Sequence, residues 1–180
     1  MRKRNAKLLV PLAAVGAAAV AASGGLALAD GASSGGGVRL YEADTALDGN
    51  LGTVILTGAV TDHGIDHQDA GGAGINLLKL SKGSFEINVN AVGSQLAALP
   101  VVPVNRSTCS SDGWTKTAPV PIVPGSGKGA YKGISGTFNA RAASAAIYRR
   151  TASGQCNSNA TRYPGVLIAN GTGTVSAYGK

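Results

Sequence analysis

The segment Phe85-Glu86-Ile87-Asn88-Val89-Asn90-Ala91 decides the fold class, because apolar and polar residues alternate along its whole length. A period of two residues places successive side chains on opposite faces, which is typical of a β-strand with one buried face. The turn signal Ser81-Lys82-Gly83 precedes this segment and follows the apolar run Ile75–Leu80. The two runs therefore predict a β-hairpin.

Similar short runs, separated by turns rich in Gly, Pro and polar residues, continue along the chain. This pattern is typical of an all-β sandwich or a closed barrel. Outside the first 29 residues no segment combines a capping signal with helical periodicity, so no helix is predicted there. The run Thr53–Val60 is apolar enough to predict a strand covered on both faces. The other predicted strands are Val38–Thr45, Thr117–Val123, Thr137–Arg150 and Val166–Tyr178. In Thr137–Arg150 the alanines favour a helix and the flanks favour a strand, so a helix is the alternative there.

The N-terminus has the composition of a secretory leader. Basic residues between Arg2 and Lys7 precede the Ala-rich run Leu8–Ala22, and Ala27-Leu28-Ala29 forms a small-x-small cleavage site. This order predicts a helical signal peptide over residues 1–29 and a secreted, extracellular protein. No membrane span is expected after cleavage; the alternative is a retained N-terminal anchor. Residues 30–37 are interpreted as a flexible Gly/Ser tether and residues 38–180 as one domain.

The charge balance gives little support for a nucleic-acid partner, and none is predicted. Four of the 16 basic residues lie in the leader, so the remaining chain has twelve bases against nine acids, a net charge of +3 rather than +7. A basic stretch from Lys128 to Arg150 includes Tyr131 and Tyr148 and would suit an anionic polymer. A solvated barrel exterior is the commoner reason for such a stretch.

Cys109 and Cys156 are the two cysteines of the chain. In an exported protein an even number of cysteines favours a disulfide. A thiol pair used in catalysis or metal binding is the alternative. It is disfavoured because the spacing is not CxxC and no histidine lies nearby in the sequence.

The densest polar segment is Asp62–Asp69, with the sequence DHGIDHQD, and it contains both histidines. Mixed His and Asp ligands suit zinc or another divalent ion. A histidine beside carboxylates also suits acid–base chemistry near neutral pH. Gly64 favours a loop over a helix, so the third interpretation is an exposed, solvated turn. The candidate metal ligands are His63, Asp66, His67 and Asp69.

Three segments together resemble the allene oxide cyclase/dirigent superfamily. They are Gly52–Gly58, Lys82–Asn88 and the pattern Gly127-x-Gly129-x-Tyr131-x-Gly133-x-x-Gly136-x-Phe138. The likeness is nearest to secreted barrel-like members from actinobacteria, in which a segment like Gly154-Gln155-Cys156-Asn157 follows an earlier cysteine like Cys109. The resemblance covers residues 52–177 and implies an eight-stranded antiparallel β-barrel with an interior cavity.

The resemblance also implies which classes of function to expect. Plant relatives cyclise an unstable epoxide or steer the coupling of phenoxy radicals, and the barrel shapes the reactive guest without a cofactor. The catalytic residues of those enzymes do not map onto this chain. Barrels of this kind often form trimers, so the resemblance allows a homo-oligomer, for which the sequence identifies no interface.

Three functions remain open from the sequence. The first is non-catalytic binding of a small apolar or aromatic guest inside the barrel. The second is a cofactor-independent cyclase or isomerase with the same pocket, and its candidate catalytic residues are His63, His67, Tyr131 and Tyr148. The third is an extracellular interaction protein whose barrel is filled by its own side chains. A filled interior would favour the third function over the first two.

Overall fold

The computed structural model describes residues 33–44, 51–99, 105–157 and 165–179, and the predicted signal peptide lies outside them. The described residues are mostly β-strand, as predicted, and their strands pair antiparallel. None of their helices is long and apolar enough to cross a membrane. The strands are β1 (Gly36–Asp44), β2 (Leu51–Gly58), β3 (Asp62–His67), β4 (Ile75–Leu80), β5 (Gly83–Asn88), β6 (Ser110–Trp114), β7 (Ala118–Pro121), β8 (Lys128–Gly129), β9 (Gly136–Ile147) and β10 (Gly165–Val175), and the helix is α1 (Asn90–Ala97).

The strands form one sheet in the order β6-β9-β10-β1-β2-β3-β4-β5-β8, and β7 pairs with β9 beside this path. The ladders do not return to their starting strand, so the predicted closure into an eight-stranded barrel is not confirmed. An isolated bridge between Ile87 of β5 and Ile122, which directly follows β7, joins the β5 side of the sheet to the β7 side. Pro119 and Pro121 lie in β7, a strand of four residues, as expected for a segment that lacks backbone donors.

The inner face of the sheet holds the apolar core. Phe85 and Phe138 are completely buried, and Leu56, Leu78 and Ile87 pack in the same cluster. The outer face is more open. On β2, Val54 and Leu56 are buried whereas Ile55 is 48% exposed. The prediction that this strand is covered on both faces was therefore wrong, because none of the described residues forms a second layer over the outer side of Ile55.

Helix α1 corrects the sequence-based expectation that the chain has no helix beyond the leader. The alternating segment remains a strand only to Asn88, and the helix begins at Asn90. Its first turn has no acidic residue and no side-chain cap, so the usual signals of a helix start are missing. Tertiary packing of Val92 and Leu96 against the core stabilises it instead.

The chain enters the sheet earlier than the tether interpretation implies. Strand β1 begins at Gly36, and Ser33 forms an isolated bridge with Tyr178. Gly36 pairs with Val175 of β10, so the partner strand supplies the order that the Gly/Ser composition does not encode.

Cys109 and Cys156 form a disulfide with an S–S distance of 2.09 Å, as the sequence predicted. The bridge joins the loop before β6 to the segment that follows β9. Cys109 is buried in a small cluster with Ala146 and Tyr148, separate from the main core. The disulfide therefore anchors the far end of the sheet rather than its centre.

We expect the double replacement Cys109→Ser and Cys156→Ser to lower the free energy of unfolding by about 4 kcal/mol. The cysteines are 47 residues apart in sequence, and a cross-link over a loop of this length restricts the unfolded chain by about that amount. Denaturant titration of the variant beside the wild type measures the difference. An unchanged unfolding midpoint would contradict this assignment of a stabilising role.

Candidate functional site

The polar segment of residues 62–69 is mostly the strand β3, not a loop. Gly64, which favoured a loop in the sequence, allows close strand pairing, because a Cβ there would lie 2.1 Å from the carbonyl oxygen of Lys79 on β4. The two-residue period then separates the functional groups. Asp62 and Asp66 are buried on the inner face, whereas the side chain of His63 is 77% exposed.

The histidines therefore do not join the carboxylates in one metal site. His63 and His67 share the outer parity of β3, and four residues along a strand span roughly 13 Å. Asp66 points the opposite way, and Asp69 lies in the turn, where its carboxylate accepts the N–H of Gly74 at 2.5 Å. Within the described ranges no group of three His, Cys, Asp or Glu residues is placed to hold a metal ion.

Asp62 is an internal anchor. Its carboxylate accepts hydrogen bonds from the backbone N–H groups of His63 (2.8 Å) and Lys82 (3.1 Å), and from the hydroxyls of Ser81 and Tyr131. Burial alone would raise the pKa of Asp62, but these four donors outweigh burial and lower the pKa from its ordinary 3.8 to about 2. The ionised carboxylate thus ties β3 to the β4–β5 turn and to Tyr131.

The two candidate catalytic tyrosines, Tyr131 and Tyr148, take part in packing and hydrogen bonding inside the protein. Tyr131 packs edge-on against Phe85 with ring centroids 5.4 Å apart. Burial, followed by the hydrogen bond to Asp62, raises the pKa of Tyr131, so its phenol stays protonated as a donor. Tyr148 is buried beside the disulfide, and its oxygen accepts the hydroxyl of Ser111 at 3.3 Å.

Asp62 is expected to make folding sensitive to acid. Because its pKa is lower in the folded protein, its contribution is complete above pH 4 and is lost as the pH falls towards 2. The shift corresponds to about 2 kcal/mol. We predict that Asp62→Asn removes this part of the pH dependence, measured by denaturant titration between these pH values. Asp112→Asn, at an exposed position, is the matched control; equal pH profiles for wild type and Asp62→Asn would contradict the assignment.

A cleft of about 390 Å³ lies between α1 and the inner face of β1, β4, β9 and β10. Its lining is mixed, with apolar side chains beside polar ones. The apolar lining includes Val92, Leu96, Ala142, Leu167 and Ala169. The polar lining consists of Glu42, Gln68, Asp69, Asn76, Asn90 and Ser94. None of the four candidate catalytic residues lines this cleft.

A second depression, of about 380 Å³, lies beside β6, β9 and β10. It is lined by residues 110–112, 145–147 and 165–166. Its charged member is Asp112, which is exposed. Because it lacks a buried charged group, this depression offers less chemistry than the cleft under α1.

Glu42 and Asp66 interact across the strand that separates them. In the ladders, Glu42 pairs with Val54 of β2, and Asp66 pairs with Gly52 of the same strand. A Cβ at Gly52 would lie 2.8 Å from Oε1 of Glu42. The missing side chain of Gly52 is therefore the space through which Glu42 reaches Asp66.

Asp66 is completely buried and only half satisfied. Its Oδ2 accepts the side-chain amide of Asn76 at 2.7 Å, whereas Oδ1 has no hydrogen-bond donor. Asp44 lies buried on the same face. Burial raises the pKa of Glu42 well above its ordinary value, and the charges of Asp66 and Asp44 raise it further. Burial also raises the pKa of Asp66.

Glu42 and Asp66 therefore form a carboxyl pair in which burial and the neighbouring negative charges favour the protonated form of Glu42. With the proton on Glu42, its O–H can donate to the carboxylate of Asp66, which removes the need for two adjacent buried charges. Such a pair can hydrogen-bond a guest, attract a cation or transfer a proton.

The sequence interpretation missed three members of this site: Glu42, Asp44 and Asn76. A signal for two of them was present. In β1 the alternation that buries Val38 and Leu40 continues to Glu42 and Asp44, so the same parity places two carboxyls on the core face. Of the candidate metal ligands, Asp66 belongs to the carboxyl pair and Asp69 lines the cleft.

No family model, curated protein or solved structure matches this chain. The resemblance to the allene oxide cyclase/dirigent superfamily stays a prediction. The interpretation of the site consequently depends on its own geometry.

We predict that Gly52→Ala separates the carboxyl pair without unfolding the protein. The new Cβ would contact the flexible end of Glu42 and push its carboxyl away from Asp66. With less burial and a more distant negative charge, the pKa of Glu42 should fall towards its ordinary value. NMR titration of the side-chain carboxyl carbon of Glu42 measures this.

The matched control is Gly37→Ala on β1, where a Cβ would meet no atom within 4 Å. This control should leave the titration of Glu42 unchanged. An unaltered titration of Glu42 in Gly52→Ala would contradict the role assigned to Gly52.

Proposed function

We propose that this protein binds a small guest, with an apolar body and a polar end, in the cleft under α1. The observation that carries the proposal is that Glu42, with the buried carboxyl of Asp66 behind it, lines a cleft together with apolar side chains of α1, β9 and β10. Small-molecule sites are concave and mostly apolar, with a few placed polar groups, and commonly have volumes of about 300–1,000 Å³. The cleft of about 390 Å³ meets this description.

We further propose that the sheet curls into a barrel that β7 closes. Closure would join β1–β5, β7, β9 and β10, which are eight strands. The bridge between Ile87 and Ile122 supports this proposal, as does the 2.9 Å hydrogen bond from the N–H of Val123 to the carbonyl of Glu86. Closure would also protect the edges of β5 and β7.

The guest is proposed at the mouth of this barrel rather than in its centre. Completely buried side chains, including Phe85, Phe138 and Leu56, occupy the interior. A filled interior also suits an extracellular interaction protein, the third function considered from the sequence. Guest binding is favoured because the carboxyl pair adjoins an open cleft, where a ligand can compensate its buried polar atoms.

Export belongs to the same proposal. The leader of residues 1–29 would be removed, and the protein would act outside the cell. The Cys109–Cys156 disulfide supports this, since such bonds persist in oxidising compartments.

A cofactor-independent isomerase or cyclase is the second candidate, and the raised pKa of Glu42 favours it. A protonated carboxyl beside an ionised one can donate a proton to the guest and take one back from another of its atoms. Such a cycle leaves the numbers of protons and electrons unchanged, as an isomerisation requires. Glu42 would then be the catalytic residue, in place of the four candidates from the sequence.

Blocking the cleft tests the binding proposal. Gly93 of α1 lines the cleft, and a Cβ there would meet no atom within 4 Å. We therefore expect Gly93→Leu to fill the cleft while keeping the helix, which the loss of a glycine should stabilise by up to about 1 kcal/mol. The affinity for the neutral probe naphthylethanol, measured by calorimetry, should fall at least about tenfold.

The matched control is Ala91→Leu, an exposed position of the same helix that does not line the cleft. It should bind naphthylethanol as the wild type does. Equal affinity in the wild type and Gly93→Leu, or a wild type that binds neither naphthylethanol nor its charged analogues, would overturn the proposed site.

A further inference from the structure

We infer that the guest carries a positive charge: the cleft under α1 is built for a small organic ammonium ion attached to an apolar body. This inference rests on the proposed binding function and names the chemical class of the ligand. It is carried by the charge of the lining, by the unpartnered oxygen of Asp66 and by the shape of the cleft.

Among the residues that the structure describes, the charged members of the lining are acidic. They are Glu42 and Asp69, and no described lysine, arginine or histidine lines the cleft with them. Asp66 lies buried behind Glu42 on the same face. Buried carboxylates normally have a cationic partner or remain protonated. A cationic ligand would supply such a partner to Glu42.

The second observation is the half-satisfied carboxyl of Asp66. This side chain is completely buried, and its Oδ1 has no hydrogen-bond donor. The proton of Glu42 can serve this oxygen when the cleft is empty. Glu42 lines the cleft and Asp66 lies behind it, so an ammonium group, which has three N–H donors, can form charge-assisted hydrogen bonds with Glu42 and balance the charge of Asp66 behind it.

The shape of the cleft favours an organic cation over a metal ion. A metal requires several oxygen or nitrogen ligands around one point. Instead, much of the lining consists of apolar side chains such as Val92, Leu96 and Leu167. These side chains can bury a hydrocarbon body while the ammonium group contacts the carboxyl pair.

Binding should displace the shared proton. In the empty cleft, burial and the charges of Asp66 and Asp44 favour a proton on Glu42. When the ammonium binds, Glu42 ionises and its proton passes to solvent, so the pair has two negative charges facing one positive charge. Affinity should therefore rise with pH while the amine remains protonated.

Few of the described groups affect the titration of Glu42 and Asp66. Asp44 of β1 lies close enough to raise the pKa of both members of the pair, and His67 of β3 acts in the opposite direction on Asp66. Asp69 lines the cleft from the turn after β3. Helix α1 and strand β10 contain no ionisable side chain, and β9 contributes only Ala142 to the lining.

Three probes with the same apolar body test the inference: naphthylethylamine, naphthylethanol and naphthylpropanoate, which are cationic, neutral and anionic at pH 7. Calorimetry on the purified wild-type protein should give at least about tenfold tighter binding for the amine than for the alcohol. The anion should bind more weakly than the alcohol. Titrations in two buffers of different ionisation enthalpy should show about one proton released per bound amine.

Glu42→Gln and its matched control Glu86→Gln assign the effect to the pair. Glu86 is the only other glutamate of the chain, and its side chain lies on the outer face of β5. Glu42→Gln should abolish the proton release and weaken the amine about tenfold, with the alcohol changed less than about threefold. Glu86→Gln should behave as the wild type. Asp66→Asn is the second variant of the pair and keeps the test available if Glu42→Gln fails to fold. Thermal melts of every variant show which of them fold.

The outcomes separate this inference from the proposed function. If the alcohol binds and the amine gains nothing over it, the cationic guest is wrong while the cleft remains a binding site. If none of the three probes binds, both proposals fail. If calcium chloride displaces the amine and itself binds more tightly, the site is a metal site and the inference is overturned.

Discussion

The two-residue period of the strands is the constraint on which the rest of the structure depends. It sends alternate side chains to an inner face that is closed to water, whatever their chemistry. On β1 this rule buries Val38 and Leu40 and turns the half-buried Glu42 and the buried Asp44 to the same face. Core and site are thus one surface, in which a run of apolar residues changes to carboxyls towards the cleft under α1. The chemistry of the site follows from the burial that the fold imposes.

The absence of a side chain at two glycines decides which of these inward-facing groups come into contact. Gly64 brings the backbones of β3 and β4 together, and Gly52 opens a passage between two strands that are not neighbours. Through this passage a residue of β1 interacts with a residue of β3. For this reason Glu42 and Asp66, which are far apart in the sequence, form a coupled pair.

The sequence predicted the mostly β fold, the antiparallel hairpin and the disulfide, because alternation and cysteine count are local signals. It failed where tertiary packing overrides local signals. Helix α1 has no side-chain cap and is stabilised by the packing of Val92 and Leu96, so the local sequence contains no signal that predicts it. The segment of residues 62–69 looked like one site, yet strand parity divided it. Its true partner, Glu42, lies 24 positions before Asp66 and could be found only from the ladder register.

The unpartnered oxygen of Asp66 also has a consequence for the evolution of this chain. A sequence selected for robustness alone would place an aliphatic residue at this inward position, as it does at Leu78 of the neighbouring strand. Burying carboxyls without a full set of donors makes the resting molecule less stable than its framework permits. At these inward positions thermostability would trade against the proposed binding of a guest, and stabilising substitutions there would weaken that proposed binding.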